Sequence, residues 1–308
     1  MKKILVLHQP FPMGNFGLNR YIANILSGDP YNYEVHTLQQ LNIQYQLENH
    51  KVIDNYVKMI NDANFDCIYY EMLDATTFGI VKRLNCENRI LTVASGGIWG
   101  FENILLKAGV YYDKIYTNSK EFYRSVDTTI PSGYFKYYPS RLKKFHTDKV
   151  WNDHRAVFVG MGNHRRISPE YKLERDLFFD NDIPLTIYGT GWKGHPKYAN
   201  LVLSDSSLDK IYTAAHYAVG MIATQQREHG MINNRYVEAI ACGTRVITPN
   251  YDIEWGPIEE YLDIVDTPEQ VQEILTENIT EKPTVNSEKL IEEINNRFFN
   301  TLDELIKL

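Results

Sequence analysis

The densest grouping of reactive side chains lies between Met231 and Asp252, in "MINNRYVEAIACGTRVITPNYD". Arg235 and Glu238 stand three residues apart, which on a helix puts them on one face. Asn233 and Asn234 precede them as helix caps, and Gly243 closes the segment as a C′ glycine does. Such a pair is an internal ion pair, a solvated helix start, or a binding device. In the third case Glu238 accepts two hydroxyl hydrogen bonds from a ribose and Arg235 reaches a phosphate. Asn234 and the free N–H groups of the helix N-terminus then face the same anion. These are the parts needed to hold a sugar nucleotide.

Three other stretches carry related chemistry. In "VGMGNHRRISPEYK", Gly160 and Gly162 make a tight turn, and Arg165 and Arg166 stand just ahead of a helix capped by Ser168 with Pro169 at its first position. The stretch is either a solvated basic loop or a diphosphate clamp, since guanidinium groups bind phosphate oxygens in bidentate fashion. In "IYGTGW", Gly189 and Gly191 permit close backbone approach, and Trp192 is a wall or part of the core. In "HQPFPMGNFGLNRY", Gly14 and Gly17 flank the start of the first helix, with His8 and Arg20 nearby. That segment is a plain βα loop or a loop over an acceptor or a donor phosphate. Its spacing is not that of the dinucleotide fingerprint.

Positioning these residues requires alternating strands and helices, and the pattern supplies them. Short apolar strands are predicted at Lys3–Leu7, Tyr33–Thr37, Asp66–Tyr70, Ile90–Val93 and Lys114–Tyr116, with one more in "SGYFKYYP". Helices are predicted at Leu18–Leu26, Ile53–Ala63 and Thr76–Leu84, and a short one follows the Asn118-Ser119 capping signal. Residues 140–154 turn polar and basic, as a linker between domains would. The alternation then restarts: strands in "RAVFVG", "PLTIYG", "AVGMI", "RVITP" and "LDIV", helices in "SPEYKLERDLFF", "SSLDKIYTAAH", "NRYVEAIACG" and from Pro268. Apolar residues at helical spacing from Leu290 to Leu305 predict a final helix. The expected fold is α/β, two tandem doubly wound, Rossmann-like domains. The expected domains are 1–145, 146–286 and a terminal helix at 287–308 that crosses back to the first domain. Ligands of such sheets bind beyond the carboxyl ends of the strands, so facing domains would enclose a cleft.

Composition narrows the class. The 308 residues are 44% hydrophobic and 23% charged, ordinary for a globular protein. A net charge of −7 argues against general affinity for nucleic acid. Cys67, Cys86 and Cys242 are far apart and read as buried thiols of a reducing compartment, so the expected location is cytoplasmic. The lysine-led first strand is too short for a signal peptide, and no segment approaches the ~20 apolar residues of a membrane helix. No His/Asp/Glu cluster has metal-ligand spacing.

With those residues placed, "NNRYVEAIACGTRVITP" resembles the nucleotide-sugar signature of the group-1 GT-B glycosyltransferases, and Glu238 holds the position of their ribose-binding glutamate. "RAVFVGMGNHRR", "PLTIYGTGW" and "YDKIYTNSKEFYRSV" resemble further segments of that family. The Arg-x-x-Glu arrangement is similar to that of spore-maturation-type members, and the layout to T-even phage DNA glucosyltransferases. The resemblance covers most of the second domain and scattered parts of the first. It implies GT-B architecture, an acceptor side in the first domain and a donor side in the second. It also implies transfer of a sugar, of hexose type, from a UDP- or GDP-sugar to a hydroxyl of a glycan, small molecule, protein or modified DNA, with no tightly bound cofactor and no metal. Many retaining members carry a second glutamate eight residues before the first; here that position is Gly230. An inverting enzyme would need a base in the first domain, for which Glu71, Asp74 and Glu102 are the candidates. A non-catalytic GT-B-fold partner protein and a nucleotide-sugar epimerase of the same fold are the competing classes.

Overall fold

The structure is a computed structural model of the chain and describes residues 1–8, 16–39, 50–71, 80–93, 112–125, 130–144, 154–162, 165–200, 205–276, 283 and 285–308. The chain forms two compact units. One comprises Met1–Lys136 with Asn296–Leu308, the other Tyr137–Asn295.

The first unit is built on strands β1 (Lys3–His8), β2 (Glu34–Gln39), β3 (Cys67–Glu71), β4 (Arg89–Val93), β5 (Lys114–Thr117) and β6 (Ser132–Tyr134), with helices α1 (Phe16–Ser27), α2 (His50–Ala63) and α3 (Lys120–Ser125). The strands lie in the order β2-β1-β3-β4-β5-β6, and neighbours run parallel. Their near-continuous apolar runs are explained by coverage on both faces. Leu5, Leu7, Ile68, Tyr70, Leu91 and Ile115 pack on one side with Tyr56, Val57 and Ile60 of α2. Ser119 caps α3 by accepting from the Phe122 N–H at 3.0 Å, as its sequence signal predicts.

The second unit holds β7 (His154–Val159), β8 (Leu185–Tyr188), β9 (Tyr198–Asn200), β10 (Ala215–Val219), β11 (Arg245–Pro249) and β12 (Leu262–Val265). Its helices are α4 (Lys172–Glu174), α5 (Asp205–Ala214), α6 (Thr224–Glu228), α7 (Asn234–Ala241) and α8 (Pro268–Thr276). The strand order β9-β8-β7-β10-β11-β12, all parallel, is the 3-2-1-4-5-6 order of a dinucleotide-type sheet. The order reverses between β7 and β10. The crevice for a ligand in such a sheet opens at that reversal, and the loops after β7 and β10 line it.

Two local readings are corrected. The strand expected at "AVGMI" begins earlier: α5 passes into β10 at Ala215 without a loop, because Ala215, Tyr217 and Ala218 already pair with β7. Met221 and Ile222 are buried as expected, but they belong to the loop that follows. The helix expected over "SPEYKLERDLFF" is irregular, a 3-10 turn at Pro169–Tyr171, the single α turn α4 and a π turn at Arg175–Phe179. That winding buries Leu177, Phe178 and Phe179 in succession, which one face of a regular α-helix could not do.

Residues 137–144 pack in the second unit, with Tyr137 and Leu142 in its core. The terminal helix α9 (Glu288–Lys307) gives residues up to Asn295 to the second unit and the rest to the first. In the first unit, Phe298 packs 5.0 Å from the rings of both Tyr116 and Phe135, and its carbonyl accepts from the Tyr116 hydroxyl at 2.7 Å. Lys114 donates to the Leu305 carbonyl at 2.7 Å.

Candidate functional site

The loop after β7 begins at Gly160, whose N–H donates to the Tyr188 carbonyl of the neighbouring strand at 2.9 Å. Its carbonyl accepts from the Trp192 indole at 2.8 Å. Gly189, at φ +128°, lies so near that a Cβ would stand 2.2 Å from the Gly160 oxygen. A Cβ on Gly162 would meet the Trp192 ring at 2.7 Å. Gly162 and Gly189 therefore let two turns interlock around a core tryptophan that is 1% exposed. The close approach is between segments of the protein itself.

The two arginines of this loop separate. Arg166 is exposed and reaches the Gly191 carbonyl at 3.4 Å. Arg165 turns inward. Its guanidinium lies 5.3 Å from the Tyr171 ring centroid and 5.8 Å from that of Phe158, and Nη1 donates to the Met161 carbonyl at 2.6 Å. Its Nε is buried with no partner. Burial, and next the like charge of Arg235, push its pKa down to about 10, so it remains a cation at neutral pH.

Arg235 comes from the other side of the strand-order reversal, at the start of α7. Asn233 caps that helix, accepting from the Arg235 N–H at 3.1 Å. Asn234 is the first helical residue rather than a second cap, and its amide donates to Glu238 Oε1 at 3.3 Å. Gly243, at φ +75°, ends the helix as expected. The Arg235 Nη1 atom stands where a Cβ on Gly160 would be only 3.0 Å away, directly over the exit of β7, and it too is buried without a partner. Among the described residues neither Arg165 nor Arg235 has a carboxylate within ion-pair distance. Two neighbouring guanidinium groups with buried, unpaired N–H donors are costly unless an anion completes them.

Arg235 and Glu238 are not an ion pair. Glu238 instead receives Arg141 Nη1 at 2.5 Å, with both side chains buried, 4% exposed for the acid and 11% for the base. Arg141 lies 97 positions upstream in the polar run read as a linker, and nothing local marks it. The hydrogen bonds from Arg141 and Asn234 both fall on Oε1 of Glu238.

Behind the arginines, Glu174 is fully buried. Its Oε1 accepts from the Tyr251 hydroxyl and its Oε2 has no partner. Burial raises it above the usual carboxylate range. Arg227 lies over the Tyr251 ring at 4.6 Å and donates to Thr224 at 2.7 Å, and the Thr224 N–H donates to Glu170 at 3.0 Å. These contacts fasten the loop that runs from β10 into α7. Sequence reasoning missed all of them, because Glu174 reads as an ordinary polar position of an amphipathic helix.

In the first unit, His8 ends β1 and Glu71 ends β3, both at the carboxyl edge of the sheet, with Glu71 opposite Thr92 in register. Gly17 lies in the first turn of α1 and Arg20 is exposed on the same helix. Gly14, Asp74 and Glu102 lie outside the described residues. Cys67, Cys86 and Cys242 are buried free thiols. No described helix is long and apolar enough to cross a membrane.

Residues 172–299 match the model of the glycosyl transferase-like family. A comparison with curated proteins yields no match. Among solved structures, the chain is similar to HepE of Anabaena in complex with UDP-glucose, with a TM-score of 0.61 at 13% identity over 99% of this chain and 100% of that one. It is similar to the trehalose-6-phosphate structure of E. coli bound with UDP-2-fluoro glucose, with a TM-score of 0.59 at 9% identity over 100% and 99%. It is also similar to the lipopolysaccharide outer core galactosyltransferase WaaB, with a TM-score of 0.54 at 12% identity over the whole of both chains. The fold is thus that of the GT-B glycosyltransferases, two Rossmann-like units in tandem.

Proposed function

We propose that this chain, glycosyl transferase-like over residues 172–299 and GT-B in fold throughout, transfers a sugar from a nucleoside diphosphate sugar to a hydroxyl acceptor. The observation that carries the reading is the pair of unsatisfied buried guanidinium groups, Arg165 and Arg235, at the reversal of the second sheet. They bind the diphosphate. Glu238, with one oxygen engaged by Arg141 and Asn234, offers the other to the ribose hydroxyls. The second unit is the donor side and the first the acceptor side. Two of the similar structures hold UDP-sugars, which favours UDP as the carrier and a hexose as the sugar.

In the reaction the bond from the sugar's anomeric carbon to the diphosphate oxygen breaks, and that carbon bonds to the acceptor oxygen. The acceptor proton passes to a carboxylate of the first unit, for which Glu71, Asp74 and Glu102 are the proposed candidates. Charge grows on the leaving diphosphate as the bond lengthens. Cations already fixed beside it stabilise that charge without reorganisation, which is how such groups lower a barrier. Three buried thiols fit a cytoplasmic setting.

A second reading, donor binding without transfer, is favoured by Gly230. It occupies the place of the upstream glutamate of retaining relatives, in a turn at φ +64°, and Glu228 nearby is exposed. Incubating the protein with UDP-glucose, UDP-galactose and their GDP counterparts, and following released nucleoside diphosphate, separates the two. Slow release from one donor supports the transferase. Tight binding with no release from any donor, with or without added sugar acceptors, supports the binding protein.

A further inference from the structure

The first unit contains a second set of unsatisfied buried groups. Asn118 is 0% exposed, and neither its amide oxygen nor its amide nitrogen has a hydrogen-bond partner. Thr92 is likewise 0% exposed, with its hydroxyl unpartnered. The residue that follows Asn118 is satisfied. Ser119 accepts from Phe122 at 3.0 Å, and its own N–H donates to the Thr117 hydroxyl at 3.0 Å.

Their placement is specific. Thr92 stands opposite Glu71 of β3 on one side and Tyr116 of β5 on the other. Asn118 is the first residue past the end of β5. Thr92 and Tyr116 pair in register and so share one face of the sheet, and Asn118 follows two positions after Tyr116. All of this lies at the carboxyl edge of a parallel sheet, where ligands of such sheets bind. Buried polar atoms are almost always paired, and an exception calls for a missing partner.

We infer that Asn118 and Thr92 form a binding subsite for a neutral, polyhydroxylated ring. An amide sets one donor beside one acceptor, and a hydroxyl supplies both roles. Neighbouring hydroxyls of a sugar or cyclitol match that set. A phosphate or carboxylate would leave the amide and hydroxyl oxygens facing negative charge. The assignment of this subsite to the acceptor rests on the proposed transfer reaction; the chemistry of the two side chains does not.

The test uses the full chain with Thr92→Val and Asn118→Leu, singly and together. Each replaces a polar group by an apolar one of similar shape. The readouts are the melting temperature without ligand, binding of methyl α-glucoside, methyl β-galactoside and myo-inositol by saturation-transfer NMR with UDP present, and UDP affinity by calorimetry. The expected result is a melting temperature equal to or above that of the wild type, at least one probe bound by the wild type, about tenfold weaker binding by the variants, and unchanged UDP affinity. A fall in melting temperature with probe binding unchanged would show that the two groups are structural and overturn the inference. So would a wild-type protein that binds UDP and none of the three probes. A wild-type protein that binds a probe through these residues but not UDP would sink the transferase reading and leave this one standing.

Discussion

Arg141 governs how Glu238 can act. Its guanidinium donates to that carboxylate at 2.5 Å, and the acid has only 4% of its side chain exposed. Removing one member of a buried pair strands the other, at a cost of ~3–5 kcal/mol. Arg141→Ala is therefore expected to destabilise the second unit on that scale in urea denaturation, and Glu238→Gln added to it should recover part of the loss. Glu238→Ala strands Arg141 and carries the same kind of stability cost, and the protein that remains folded should bind UDP or UDP-sugar more weakly by ~1–3 kcal/mol, the scale for hydrogen bonds to a charged group. Calorimetry with unchanged nucleotide affinity in that variant would remove Glu238 from the ribose. The residue scale is also where sequence reading divides most clearly. Asn233, Gly243, Ser168 and Ser119 were legible because capping is local, decided within four positions. Arg141 was not, since its partner is 97 positions away. The Arg165-Arg166 doublet could not be split either, because only tertiary packing turns one side chain inward and leaves the other in water.

At the scale of elements, the glycine turns and the loop after β10 set the geometry that the arginines inherit. Gly189→Ala would drive a Cβ to 2.2 Å from the Gly160 carbonyl and force an alanine to φ +128°. A loss of ~3 kcal/mol, the upper end for overpacking, is expected in chemical denaturation. Glu174 makes a pH-dependent contribution of definite sign. Burial raises its folded-state pKa, so over the window from the ordinary glutamate range up to that raised value the folded protein holds a proton that the unfolded chain releases. Its stabilising contribution is full below the window and lost as pH rises through it. Glu174→Gln should accordingly be more stable than the wild type at about pH 7, with the difference shrinking toward about pH 4. Equal urea midpoints for the two proteins at both pH values would show that this carboxyl is not held protonated. Most strands were legible as apolar runs between turn signals, β10 excepted. Its apolar residues continue from α5 through Met221 and Ile222, and only pairing with β7 decides where in that run the strand lies.

For the molecule as a whole, two α/β units were readable from the repeated strand–helix alternation. The 3-2-1-4-5-6 order of the second sheet was not, because strand order depends on which edges pair and leaves no mark on hydrophobic periodicity. That order is what makes the arginine pair meaningful, since Arg165 and Arg235 reach one place from the two loops flanking the reversal. The central claim is that their unsatisfied cations await a diphosphate. Titration calorimetry of UDP and of uridine, against the wild type and against Arg165→Ala and Arg235→Ala, tests it most directly. The expected result is much tighter binding of UDP than of uridine by the wild type, with each substitution costing ~2–5 kcal/mol on UDP and little on uridine. Equal affinity for uridine and UDP, or UDP affinity untouched by either substitution, would contradict it.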